Sequence, residues 1–398
     1  MIPRIAAKRL QRSASEYPVV VLTGPRQSGK TTLCRRVFAD YPYATLENPS
    51  LREYAVQDPV GFLRERSEGI VLDEVQRAPE LLSYIQGIVD ESPAPGRFIL
   101  TGSENLAISD AVSQSLAGRA ALHQLWPLSF EEIASSKDLQ AQGQVPKSLH
   151  ELLYTGSYPR IYDRGLDAHD WLGNYVATYV ERDVRQVLNV SDLLPFQTFL
   201  RLCAGRTAQV LNLSQLGADA GVSHNTAKSW LSVLEATFVA QRLTPYARQL
   251  SKRLIKSPKL HFVDTGLVCF LLGIRSPSEL ETHPLRGAIF ETWCVSEIQK
   301  YLLNRGDRSR LLFYRDQRGR EVDLLLERGS RLVAAEAKSA ATVKEEAFKG
   351  LFDLADIVED TYPGGIESYL LYGGNELQSR TRAAVVGWDR LHTIDWTR

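Results

Sequence analysis

The stretch VVVLTGPRQSGKTTL, residues 19–33, changes character twice. Val19 to Leu22 are aliphatic and mostly β-branched, which favours a buried strand. Gly24, Pro25, Arg26, Gln27, Ser28, Gly29, Lys30 and Thr31 then fit G-x-x-x-x-G-K-[ST] at every fixed position. TTLCRRVF continues with helical character. A strand, a glycine-bounded loop and a helix in that order predict a phosphate cradle. The glycines let backbone N–H groups curl around oxygens, and the helix turns its positive end toward the same anion. Lys30 is expected to reach the β/γ-phosphates and the Thr31 hydroxyl to ligate Mg²⁺, with Thr32 completing the binding segment.

Outward from this loop, GIVLDEVQ (69–76) is an apolar strand ending in Asp73-Glu74. Beside a phosphate loop, an acid at such a strand end holds the Mg²⁺ water shell, and an adjacent glutamate can orient and deprotonate the attacking water. Asp73 and Glu74 are assigned these roles. A third strand, RFILTGSEN (97–105), ends in small polar residues. Ser103 is the candidate for placing the water, with Thr101 its rival. In SLAGRAALHQLWPLSFEE (115–132) a helix is expected to stop at Gly118, and Arg119 follows just before another apolar strand.

The TGPRQSGKTTL, LDEVQ, TGSEN and AGR–PLSFEE series makes residues 15–135 resemble the AAA-type ATPases, and one bacterial and archaeal subgroup of them in particular. The resemblance implies ATP rather than GTP, and no NKxD-like guanine-reading motif is found. It also implies a homo-oligomer with shared sites, in which Arg119 matches the arginine that reaches the γ-phosphate of a neighbouring subunit. The alternative for Arg119 is a surface ion pair.

At 398 residues the chain predicts about two to four domains. With 44% hydrophobic and 24% charged residues, and no apolar run long enough to span a bilayer, a membrane protein is not expected. MIPRIAAKRLQRSASEYP reads as an amphipathic helix, not a signal peptide. Cys34, Cys203, Cys269 and Cys294 lie far apart without a CxxC pair, which points to a reducing, cytoplasmic location and no zinc site. The net charge of zero argues against coating DNA by bulk electrostatics but leaves room for a local basic surface. RQLSKRLIKSPK (248–259) is one such surface, and the arginine-rich run 305–320 is either a second or a solvated loop.

Residues 136–150 read as a polar linker. HELLYTGSYPR and HDWLGNYVATYVERDVRQVL follow with helical spacing, giving a helical lid over 136–195. The TGSYPR and YVERDVR strings are also similar to that ATPase subgroup and carry no assigned chemistry. LSQLGADAGVSHNTAKSWLSVLEA (213–236) has Ser214 as N-cap, a turn at Gly221-Val222-Ser223 and a second helix from His224. Apolar Leu216, Ala220, Val222, Ala227, Leu231 and Leu234 suit helix-turn-helix packing. His224, Asn225 and Lys228 are then left on the face that would meet a groove or phosphates. Two strand-like pieces joined by the basic 248–259 loop complete a winged helix, with Lys252, Arg253 and Lys256 as wing contacts to DNA. The other reading is a winged helix used for protein contacts.

LRGAIFETWCVSEIQKYLLNRG (285–306) is an amphipathic helix carrying Glu291, with Glu297 as a rival acid. Strands RLLFYRD, EVDLLLER and RLVAAEAKS, a helix and the strand ESYLLYGG follow. The short LLERGSRLV loop makes the middle pair a hairpin. Asp323 falls on one hairpin strand. Glu336 and Lys338 fall on the next, two apart and therefore on one face. Two carboxylates can hold Mg²⁺ or Mn²⁺, and the lysine can position water or offset charge on phosphorus. This D…ExK series resembles the PD-(D/E)xK nucleases. Glu291 matches the helix acid, and Glu321-Val322 stand where a proline is usual. Some domains of this type cut DNA and others only bind it.

The expected fold is therefore α/β: a P-loop AAA-type ATPase core (1–135), a helical lid (136–195), a winged helix-turn-helix (196–275) and a C-terminal restriction-endonuclease-like domain (280–398). The expected function is ATP hydrolysis coupled to work on DNA, branched or forked. Cleavage at the C-terminal site is one option. A non-cleaving remodeller and a nucleotide-switched assembly ATPase are the alternatives.

Overall fold

Alternate residues of β1 (Val19–Thr23) enter two different cores. Val19 and Val21 pack on one face of the sheet, Val20 and Leu22 on the other, as the two-residue period of a strand requires. The same division holds for β3 (Ile70–Asp73) and β4 (Phe98–Gly102). With β2 (Tyr43–Thr45) and β5 (Ala120–Gln124) they form a parallel sheet in the order β2-β3-β4-β1-β5. Parallel strands need crossover connections, and helices cover both faces. The helices Ala6–Glu16 and Lys30–Val37 supply Leu10, Leu33 and Cys34 to one core. The helices Pro59–Arg64 and Leu81–Glu91 supply Phe62, Leu63, Leu81 and Ile85 to the other. The carboxyl ends of β1, β3 and β4 lie side by side, where open α/β sheets bind ligands.

The computed structural model describes residues 2–66, 68–103, 115–180, 193–246 and 256–398. Two compact units divide the chain: residues 1–128 with 236–238 and 303–306, and residues 129–235, 239–302 and 307–398. All four cysteines are buried and unpaired, and no helix among the described residues is long and apolar enough to cross a membrane.

The second unit is built on one mixed sheet in the order β13-β14-β12-β11-β10-β9-β7-β8-β6. Its strands are β6 (Gln209–Val210), β7 (Ala240–Pro245), β8 (Lys259–Phe262), β9 (Leu312–Arg315), β10 (Glu321–Arg328), β11 (Arg331–Lys338), β12 (Ile366–Tyr372), β13 (Leu377–Ser379) and β14 (Ala384–Gly387). The hairpin expected from LLERGSRLV is present: β10 and β11 run antiparallel from Arg328↔Arg331 to Leu324↔Ala335. Gly329 adopts φ 60° in the tight turn, a conformation glycine enters without strain. The helix Lys349–Val358 lays Leu351, Leu354 and Val358 on Val322, Leu325 and Leu332.

Residues 213–236 fold as two helices, Leu213–Asp219 and His224–Ala236, joined at Gly221 with φ 71°. Ala227, Trp230, Leu231 and Leu234 are buried. The first helix is capped by Asn212, whose side chain accepts from Gln215 N–H at 3.1 Å. Ser214, expected as the cap, lies inside the helix. The segment read as a linker contains a helix, Lys137–Ala141, because Ser136 caps it and Leu139 anchors it in the core. β8 pairs with β6 on one side and β7 on the other, and β7 also pairs in parallel with β9. The segments read as a winged helix and a C-terminal domain therefore share one sheet.

The string TGSYPR, which carried no assigned chemistry in the sequence, meets residues 263–266 in the core of this unit. Asp264 accepts from Ser157 N–H and Oγ–H, both at 2.7 Å, and from Leu267 N–H at 2.9 Å. Lys300 donates to Ser157 Oγ at 3.0 Å and to Glu297 at 2.8 Å, while Glu297 accepts from Phe130 N–H at 2.7 Å. Glu297, the rival to Glu291, thus belongs to a structural network and not to the carboxylate cluster of β10 and β11.

Candidate nucleotide site and carboxylate cluster

A Cβ on Gly24 would stand 2.1 Å from the Leu125 carbonyl oxygen, so only glycine can begin the loop after β1. Gly24 (φ 149°), Gln27 (φ 63°) and Gly29 (φ 92°) have positive φ, a backbone course that turns N–H groups toward one concavity. The Ser28 hydroxyl is buried there without a hydrogen-bond partner. Lys30 is 5% exposed and donates to the carbonyls of Gly24 (2.9 Å) and Pro25 (2.8 Å). Burial draws its ammonium down to about 8, against the pull of Glu74 and Asp73.

Asp73, at the end of β3, receives three hydroxyls. Thr31 Oγ1 lies 3.1 and 2.9 Å from its two oxygens, Tyr43 donates at 2.7 Å, and Thr101 donates to Oδ1. Burial and the bond to Asp73 push the Tyr43 phenol up. Glu74 is held at φ 58°, a left-handed conformation that costs a non-glycine residue about 1–3 kcal/mol. Its Oε2 accepts from Gln76 Nε2 at 2.5 Å and from Ser103 Oγ at 3.2 Å. The two rivals at the end of β4 are thus divided: Thr101 binds Asp73 and Ser103 binds Glu74. Tyr43 and Gln76 were not read from the sequence, since nothing local marks a strand residue or a helical glutamine as a carboxylate partner. The orphaned Ser28 hydroxyl, the glycine-shaped cradle and the Thr31–Asp73 donor pair fit a nucleoside triphosphate with Mg²⁺.

Arg119 precedes β5 and pairs with Asp90, one side chain 35% and the other 45% exposed. An ion pair so open to water contributes little and releases readily. His224, Asn225 and Lys228 are exposed on their helix, and Lys256 is exposed just before β8. Lys252 and Arg253 lie outside the described residues, as do Glu181, Arg182, Asp183 and Arg185. Of the arginine-rich run, Arg315 pairs with Glu321 at 3.2 Å and Arg320 with Asp316.

Asp323 and Glu336 flank the last hairpin pair, Leu324↔Ala335, and Asp323 Oδ2 accepts from Ala337 N–H at 3.0 Å. Asp323 sits where the β9–β10 pairing shifts register, a local irregularity of the kind that re-aims side chains. Glu291 reaches the same cluster from the helix Arg286–Arg305. The last charge of the basic 248–259 run stands between them instead of on a wing: Lys259 of β8. Its Nζ is 2.7 Å from Glu291 Oε1 and 3.1 Å from Asp323 Oδ1, and it also pairs with Glu321. Lys259 is therefore not a wing charge, since only 1% of the residue is exposed. Lys338 binds Glu336 Oε1 at 2.6 Å. Burial, then Asp323, push Glu336 up to about 8 in spite of Lys338. Burial and Asp323 also hold Glu291 well above the carboxylate range. For Asp323 burial acts upward too, but Lys259 and Lys338 outweigh it and keep the group low.

Among the described residues no set of three or more His, Cys, Asp or Glu side chains is placed to hold a metal ion. Glu336 Oε2 is buried without a partner, but Glu291 Oε1 and Asp323 Oδ1 are taken by the Lys259 ammonium and Asp323 Oδ2 by Ala337 N–H, which leaves too few oxygens for the six or so ligands a divalent ion needs. Glu291, Asp323 and Glu336 are brought together as expected, yet the cluster does not fit Mg²⁺ or Mn²⁺ in this arrangement.

A family model described as "AAA domain" matches residues 16–134. Two models for domains of unknown function follow, DUF8612 over 146–278 and DUF4143 over 286–391. An uncharacterized protein of Mycobacterium tuberculosis is 34% identical over 346 residues, covering 85% of this chain and 74% of that one, and an uncharacterized protein of Mycobacterium bovis matches to the same extent. An uncharacterized protein of Haemophilus influenzae is 20% identical over 63% of this chain and 68% of its own. Among solved structures, the Walker-type ATPase of Pyrococcus abyssi aligns with a TM-score of 0.46 and 14% identity, over 67% of this chain and 94% of that one. That score is too low to bear on function.

Proposed function

The chain belongs to the family of these mycobacterial proteins and carries its AAA-type ATPase domain, and from that premise we propose that it couples ATP hydrolysis to work on DNA. The observation that carries the ATPase part is the pairing at neighbouring strand ends: Thr31 with Asp73, and Glu74 with Ser103 and Gln76. Thr31 and Asp73 would hold Mg²⁺, which when bound neutralises charge on the phosphates. Lys30 exchanges the Gly24 and Pro25 carbonyls for phosphate oxygens. Glu74, its carboxylate steadied by Ser103 and Gln76, accepts the proton of the attacking water. Gly24 to Thr32 wrap the phosphates with backbone N–H groups.

Arg119 acts in trans in a homo-oligomer, leaving Asp90 for the neighbouring subunit's phosphate. Residues 194–262 run helix, strand, two helices and a strand pair, the element order of a winged helix. His224, Asn225, Lys228 and Lys256 would meet DNA, and Lys252 and Arg253 are proposed as further contacts. Because the C-terminal cluster does not fit a metal, no cleavage step is assigned to it.

Steady-state ATP hydrolysis tests the first part. Glu74→Gln should keep ATP binding and lower kcat by roughly 10²–10⁴. Arg119→Ala should lower kcat by about 10³ or more with affinity unchanged. Wild-type turnover in Glu74→Gln would sink the assignment. For the second part, DNA affinity should fall with salt, and Lys228→Ala and Lys256→Ala should each reduce the salt slope by about 1. Absence of salt-sensitive DNA binding replaces this reading with a nucleotide-switched assembly ATPase.

A further inference from the structure

Around Lys259 Nζ stand Glu291 Oε1, Asp323 Oδ1 and a Glu321 carboxylate oxygen, with the Phe313 ring 5.5 Å away on β9. Three of the four acids of the cluster thus spend an oxygen on one ammonium. The fourth, Glu336, binds Lys338. Glu321, two residues before Asp323 on β10, is one of the three. His261, on the same strand as Lys259, is kept neutral by burial and then by that positive charge. A divalent ion bonded to these oxygens would compete for the same lone pairs, and its charge would stand within a few ångströms of a buried ammonium it could not screen.

We infer that the Lys259 ammonium is the resident cation of the carboxylate cluster: it takes the place of a divalent metal and ties β8 to β10 and to the helix Arg286–Arg305. The cluster is then a closed, metal-free strut between the sheet and that helix. It deepens the reading above by giving the reason for a non-cutting C-terminal segment.

Mn²⁺ binding followed by electron paramagnetic resonance tests this without ATP or DNA, so failure here leaves the ATPase and DNA readings standing. The full chain carries Thr31→Ala to silence the nucleotide site. In that background, Asp323→Asn should leave Mn²⁺ uptake unchanged, because no Mn²⁺ sits at the cluster. Adding Lys259→Met should create one site per chain, and Asp323→Asn should abolish it again. Asp323-dependent Mn²⁺ uptake with Lys259 present overturns the inference, and so does a folded Lys259→Met protein that takes up none. If Lys259→Met does not fold, the Asp323→Asn comparison decides alone: unchanged uptake supports the inference and reduced uptake overturns it.

Discussion

Lys30 and Glu336 are both shifted by burial, in opposite senses, and their consequences differ. In the empty protein Lys30 titrates near 8, below its ordinary 10.5. Phosphate favours the ammonium, so above about pH 8 nucleotide binding should take up a proton. ATP affinity should then fall by up to about tenfold per pH unit. Calorimetry in two buffers of different ionisation enthalpy reads the proton directly, and Lys30→Arg should remove it. Glu336 is raised from 4.5 to about 8. Between those values the folded chain holds a proton the unfolded chain has released. The stability this adds is complete below 4.5 and is lost as pH rises through 8. Glu336→Gln should flatten the decline of the urea midpoint between pH 5 and 9, and an unchanged slope would show that Glu336 does not carry it.

At the scale of elements, Asp264 caps the helix Thr265–Leu271 and closes the Ser157 contact at once. Asp264→Ala should cost about 1 kcal/mol for the cap and about 1–3 kcal/mol more for each donor left buried and unpaired. A urea titration with unchanged slope and a midpoint shifted down by that amount is the expected result. Gly156, at φ 73° with any Cβ only 2.5 Å from Asp264, should tolerate alanine no better. The second helix of the 213–236 pair was legible because its buried and exposed positions alternate at helical spacing. The cap at Asn212 was not, because Asn and Ser are both good N-caps and only the observed helix start decides between them.

Across the whole second unit, β7 gives one edge to β8 and the other to β9, and Tyr246 just beyond it is buried against the C-terminal core with its hydroxyl 3.1 Å from that of Tyr362. A fragment of residues 196–275 alone would expose that edge and the Tyr246 ring. It should be less stable than residues 129–398 and prone to associate, as sedimentation and urea melts would reveal. The sequence by itself determined what is local: the phosphate loop, the strand ends Asp73-Glu74, the β10–β11 hairpin and the order of helices and strands. Those follow from spacing, glycine placement and hydrophobic period, which act over a few residues. The tertiary structure alone decided which side chains complete each site. Tyr43 and Thr101 reach Asp73 from neighbouring strands, and Lys259 reaches Asp323 across 64 positions. No periodicity records such a meeting, because it is set by how strands order themselves in a sheet and by the demand that every buried charge find a counter-charge.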